Sequence, residues 1–281
     1  MRGVTPGASP PSVGDRGDAS TAEPKPLSHD RNTEPSQWLA WGSCATIVFA
    51  GVVGLGLEKA VAFPWQPVLG LCAWIILAGL LWLSTPMERV QTLGVVVVAT
   101  FFEIVGSILW GAYIYRHQNL PSFVPPGHGM VYLFGLRLTQ TRLVRANPKA
   151  LVTLCTVGVL GWAALGLGVL PRLDVAGAIG AVILALFMTR ARTGVIYAGV
   201  FVYVAFLELY GTWLGTWFWV PEVPGIGVPN GNPPSGIAGG YVFFDMASLA
   251  LAPFAMAALV AIRRGMRRTP ARGAPAPPRP G

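Results

Sequence analysis

The feature that most constrains this chain is a series of apolar runs, each about as long as a membrane-crossing helix, separated by short polar breaks. Crossing the hydrocarbon takes about 20 mainly apolar residues, because only a helix satisfies its own backbone there. That length predicts helices near 38–57, 66–84, 91–115, 149–170, 173–189, 195–220 and 236–262. An eighth run, near 127–144, is interrupted by Arg137 and Arg142. Only 11% of the 281 residues are charged, against about 25% in soluble domains. The fold class expected is therefore an all-α polytopic membrane protein with about eight transmembrane helices.

Both ends differ from the middle. Residues 1–37 are rich in Pro, Ser and Gly with mixed charge, a composition with too little apolar surface to offset ordering entropy. They read as a disordered tail, and residues 264–281 as a basic one. The formal net charge of +8 follows from topology rather than from a nucleic-acid partner, and the partner expected is the bilayer. With eight spans, one side holds Arg89, Arg142, Arg145, Lys149, Arg190, Arg192 and the Arg263–Arg268 cluster, the other only Lys59, Arg116 and Arg172. Such an asymmetry puts both termini in the cytoplasm, and the location expected is a bacterial plasma membrane. Cys44, Cys72 and Cys155 lie in apolar runs with no paired spacing, so neither disulfides nor a metal site is expected.

The membrane region repeats itself. Phe101-Phe102-Glu103-Ile104-Val105-Gly106-Ser107 matches Phe206-Leu207-Glu208-Leu209-Tyr210-Gly211-Thr212, and each stretch is followed by aromatics and a Pro-Pro loop ending in Tyr132 or Tyr241. Repeat 1 would cover 38–145 and repeat 2 146–263. Four spans in each make the halves parallel, related by an axis along the membrane normal. Glu103 and Glu208 then sit about halfway along the third helix of each repeat.

A carboxylate at mid-bilayer depth costs a few kcal/mol or more and marks an interior or a cavity. Glu103 and Glu208 are accordingly candidate catalytic residues, unless they only bond helices together. Asp245, about ten residues into the last helix, is a third, and its counterpart in repeat 1 is Leu136, beside Arg137. His128, after Pro125-Pro126-Gly127, could shuttle protons to the acids or simply bond at a helix end. Trp110, Tyr132, Arg137, Trp213 and Tyr241 are candidate substrate-binding residues; Arg137 could equally snorkel to the interface. Tyr113, Tyr115, Trp217 and Trp219 are explained as well by an interfacial aromatic belt. The loop 221–236 reads as a lid or as a connector.

Pro126-Gly127-His128-Gly129 resembles the Pro-Ser-Gly-His core of membrane lipid phosphatases, but no Lys-to-Arg-Pro motif precedes it and no Ser-Arg with a nucleophilic His follows. The Glu-x-x-Gly helix followed by aromatics resembles membrane carotenoid hydratases and cyclases over a few residues only. Neither likeness assigns a family. Three functions stay open: an enzyme doing acid/base chemistry on an isoprenoid or other lipid, a proton-coupled small-solute transporter, and a non-catalytic accessory subunit. With no nucleotide loop or metal-ligand spacing in the chain, no cofactor is expected.

Overall fold

In the computed structural model, residues 36–268 are described; the expected tail at 1–37 lies almost wholly outside them. The order is α1 (Gln37–Ala60), a 3-10 turn (Phe63–Trp65), α2 (Gln66–Trp82), α3 (Pro86–Glu103), continued as a π-helical turn (Ile104–Leu109), β1 (Tyr113–Tyr115) and α4 (Val124–Gln140). Then follow the short α5 (Arg142–Ala146), α6 (Pro148–Gly168), α7 (Val175–Arg190), α8 (Gly194–Leu214), β2 (Trp217–Trp219) and α9 (Ala238–Arg268). The last helix thus continues past residue 263, into what the sequence assigned to the basic tail.

Local chemistry sets several of these boundaries. At the start of α3, Thr85 and Glu88 form a capping box: the Glu88 amide donates to Thr85 Oγ1 at 3.3 Å and the Thr85 amide to Glu88 Oε2 at 2.8 Å. Pro86 fills the first helical position, where no amide is needed. Asn147 and Asp174 cap α6 and α7 through their side-chain oxygens.

Among the described residues, six helices are long and apolar enough to cross a membrane, over Gln37–Ala60, Phe63–Trp82, Pro86–Leu109, Pro148–Gly168, Gly194–Leu214 and Ala238–Ile262. The protein is therefore read as polytopic. Of the eight spans expected from sequence, the remaining two correspond to α7, a shorter apolar helix, and α4. In α4 most side chains are buried, and its Arg137 is neutralised inside the protein.

The centre is built on two packed helix pairs, α3 on α9 and α4 on α8. The second pair makes close backbone contact: a Cβ at Gly199 would lie 2.9 Å from the Gly135 carbonyl oxygen. Around this seam lie Val131, Leu133, Val200 and Val204, all buried.

Candidate functional site

Helices α3 and α8 stop short of their sequence-predicted ends. Instead of reaching 115 and 220, α3 with its π-helical turn ends at Leu109 and α8 at Leu214. Gly111 and Gly215 take positive φ, at 72° and 78°, a region open to glycine without steric cost. The chain then folds back as two three-residue strands that pair antiparallel, Tyr113 with Trp219, Ile114 with Phe218 and Tyr115 with Trp217. Glu103 and Glu208 consequently sit in the last turns of their helices rather than halfway along.

The strands bring aromatic donors to the two acids. Tyr113 and Tyr115 hydroxyls donate to Glu103 Oε2 at 2.7 and 2.8 Å. His128 Nε2 meets Glu103 Oε1 at 2.8 Å. On the other side, the Trp217 and Trp219 indoles donate to Glu208 Oε2 at 2.9 and 3.1 Å. Both glutamates are buried, and buried charge is tolerated only with such partners. Glu103 has both oxygens occupied, whereas Glu208 Oε1 takes no hydrogen bond from a described residue.

The Glu-x-x-Gly spacing now has a physical reason. A Cβ on Gly106 would lie 3.0 Å from the Tyr113 ring, and one on Gly211 would collide with the Trp217 ring. At Gly211 only a glycine leaves room for the returning Trp217 to reach the acid, and at Gly106 a larger residue would crowd Tyr113.

Glu103, Glu208, His128, Trp110, Tyr113, Tyr115, Trp217, Trp219 and Tyr241 all line one cavity of about 780 Å³, within the 300–1,000 Å³ of small-molecule sites. Its remaining walls are mainly apolar, including Phe49, Val53 and Leu57 of α1, Leu69 and Ile76 of α2, and Phe243 and Phe244 of α9. The His128 ring packs on Tyr241 with centroids 5.0 Å apart, and its buried Nδ1 has no partner among the described residues.

Other candidates lie elsewhere. Asp245 is buried but does not border the cavity, and its Oδ2 and Ser248 Oγ lack partners among the described residues. Arg137 pairs with Glu88 through Nη1–Oε1 at 3.1 Å and Nη2–Oε2 at 3.2 Å, and adds Ser84 and Gln140. It is therefore neither free to snorkel nor a cation for the Glu103 and Glu208 pair. Tyr132 donates to Gln91 at 3.0 Å, and Trp213 is exposed, with Lys59 Nζ 5.5 Å from its ring centroid. The loop 221–236 borders no part of the cavity. It is held by Asp174, which accepts from the Gly231 and Ser235 amides at 2.8 and 2.7 Å, and by the Trp110 indole on the Pro224 carbonyl at 2.9 Å.

The four strand aromatics are what the sequence reading missed. Their signal was present: Tyr-Ile-Tyr and Trp-Phe-Trp alternate with a period of two, the strand period, just after a glycine. No protein-family model, curated protein or solved structure matches the chain.

Proposed function

We propose that the protein is an integral membrane enzyme that does acid/base chemistry on an isoprenoid or other lipid held in this cavity. The observation that carries the reading is the unengaged Oε1 of Glu208 beside an apolar, aromatic-rich space, opposite a second carboxylate whose oxygens are both occupied. Glu208 is the group that gives a proton to the substrate and recovers it, or the reverse, so that the carboxyl ends each cycle as it began. Glu103, bonded to Tyr113, Tyr115 and His128, is held in place and orients His128. The faces of Trp217, Trp219 and Tyr113 are placed to stabilise positive charge developing on an apolar substrate. No cofactor enters this chemistry.

The reading includes eight membrane crossings in two parallel halves, with both termini in the cytoplasm. Support for the duplication comes from the two acids. Glu103 bonds the residues 10 and 12 positions on, Glu208 those 9 and 11 positions on. A π-helical turn holds one residue more than the α-helical turn it replaces, and it occurs after Glu103 and not after Glu208. The one-residue offset is thereby absorbed, and the strands meet about an approximate two-fold through Ile114 and Phe218.

A transporter is the weaker reading, because the polar network of Glu88 with Arg137, Ser84 and Gln140 is bonded within itself. The test is mass spectrometry of membrane lipids from cells lacking the protein, complemented with wild type or with Glu208→Gln. A lipid species that accumulates in the deletion, and that wild type but not Glu208→Gln removes, is expected. An unchanged lipid profile in the deletion overturns the reading.

A further inference from the structure

The cavity's walls are also parts of the protein's outer surface. Phe49, Val53 and Leu57 of α1 border the cavity and are 68%, 37% and 46% exposed. Across from them on α2, Cys72 borders the cavity and is exposed as well. Both helices belong to segments long and apolar enough to cross a membrane, so the medium outside this wall is hydrocarbon. The lining residues of these two helices include small ones: Ala50, Gly54 and Ala73. At Gly54 an added Cβ would meet nothing within 4 Å, and the same holds for Gly127 on the cavity's inner side. The wall formed by α3 and α9 is different, since Phe102 and Phe244 stack there at 5.2 Å.

We propose that the cavity loads sideways, through the gap between α1 and α2 at Gly54 and Cys72, and that what passes is a hydrocarbon chain of a bilayer-resident lipid. An apolar chain already dissolved in the membrane loses no hydration on moving through such a gap, whereas a water-soluble solute would first have to cross the headgroups and shed its water. The chain fills the apolar part of the cavity and brings one of its bonds to Glu208 Oε1. Loading by this route deepens the proposed function by naming how its substrate arrives. It rests on that reading for the chemistry that follows, not for the binding itself.

The full-length protein is reconstituted in phosphatidylcholine vesicles whose acyl chains carry a photoreactive diazirine, irradiated, and mapped by peptide mass spectrometry. Wild type is expected to carry adducts on buried Tyr115 as well as on outward-facing Trp82. Gly54→Leu sets its Cβ in open space, extends its side chain into the gap and favours the helix. It is expected to lower the Tyr115 adduct severalfold and to leave the Trp82 adduct and the thermal unfolding midpoint unchanged. Absence of a Tyr115 adduct in wild type, or an equal one in Gly54→Leu, overturns side loading through this gap. Glu208→Gln separates the two ideas: a retained Tyr115 adduct in that variant is loading without chemistry, and its loss overturns binding independent of the acid.

Discussion

Tyr113 and Trp219 face each other across the short antiparallel pair, ring centroids 4.5 Å apart, and each donates to a different buried glutamate: Tyr113 to Glu103, Trp219 to Glu208. The two acids are thus linked through one pair of strands. Disturbing either strand should be felt at both carboxylates.

The glycines beneath the strands make this measurable. Gly211→Ala puts a methyl group into the Trp217 ring, which must leave Glu208. Overpacking of this kind costs about 1–3 kcal/mol, and the stranded carboxylate adds to it. Gly106→Ala meets the Tyr113 ring edge at 3.0 Å, a contact relieved by a small ring shift, and should cost clearly less. Thermal unfolding of the purified protein in detergent should rank wild type above Gly106→Ala above Gly211→Ala. Equal midpoints for the two variants would mean that Trp217 does not lie over Gly211.

The two acids should separate in stability and activity. Glu103→Gln keeps an acceptor for the Tyr113 and Tyr115 hydroxyls, which share Oε2, but sets an NH₂ against buried His128 Nε2, and should cost roughly 1–3 kcal/mol for that one broken contact. Glu208→Gln keeps an acceptor for the two indoles and should unfold near wild type. Activity should move the other way, with product formation in Glu208→Gln down about 10²–10⁴-fold, the range for loss of a general acid or base. Unfolding midpoints together with lipid product levels check both. A Glu208→Gln protein that turns over at the wild-type rate removes Glu208 from the chemistry.

Much of the site could be read from the sequence because a carboxylate in an apolar run is expensive and therefore conspicuous; Glu103 and Glu208 stood out for that reason, and the structure places both on one cavity. Their partners did not stand out. Tyr113, Tyr115, Trp217 and Trp219 fit an aromatic belt equally well, and the third helices were carried through Gly111 and Gly215 because apolarity marks a membrane segment without marking where a helix ends. Arg137 illustrates a second limit. Its partner Glu88 lies 49 residues away, and nothing in either local pattern announces a bond formed only by the packing of α3 against α4. Asp245 looked like the third member of the cluster by its place along a helix, but helical position alone does not say which face of α9 meets the cavity.

The Glu88–Arg137 pair joins a half-buried carboxylate to a buried guanidinium and is shared with Ser84 and Gln140. Removing one member of such a pair leaves a charge without a partner and costs about 3–5 kcal/mol. Arg137→Met and Glu88→Gln should each lower expression and the unfolding midpoint sharply. The double variant should recover part of the loss, because neither charge is then left alone. A double-mutant cycle gives the coupling, and strictly additive losses would show that the two side chains do not act as a pair.

Asp174 accepts from three amides: that of Gly177 at 3.0 Å, as the cap of α7, and those of Gly231 at 2.8 Å and Ser235 at 2.7 Å in the loop 221–236. A carboxylate supplies acceptors on two oxygens, and both are used. Asp174→Asn keeps one oxygen acceptor and replaces the other with an NH₂ donor, so it can serve one oxygen's share of these amides but not both. Asp174→Ala serves none and also removes the cap, worth about 0.5–2 kcal/mol. Freed at 231 and 235, the loop should open to protease while the helices stay protected, with cleavage increasing from wild type through Asp174→Asn to Asp174→Ala. In sealed proteoliposomes of known orientation, the same cleavage reports on which side the loop lies; the eight-crossing arrangement requires the face opposite the termini. Cleavage from the side bearing the termini would overturn that arrangement.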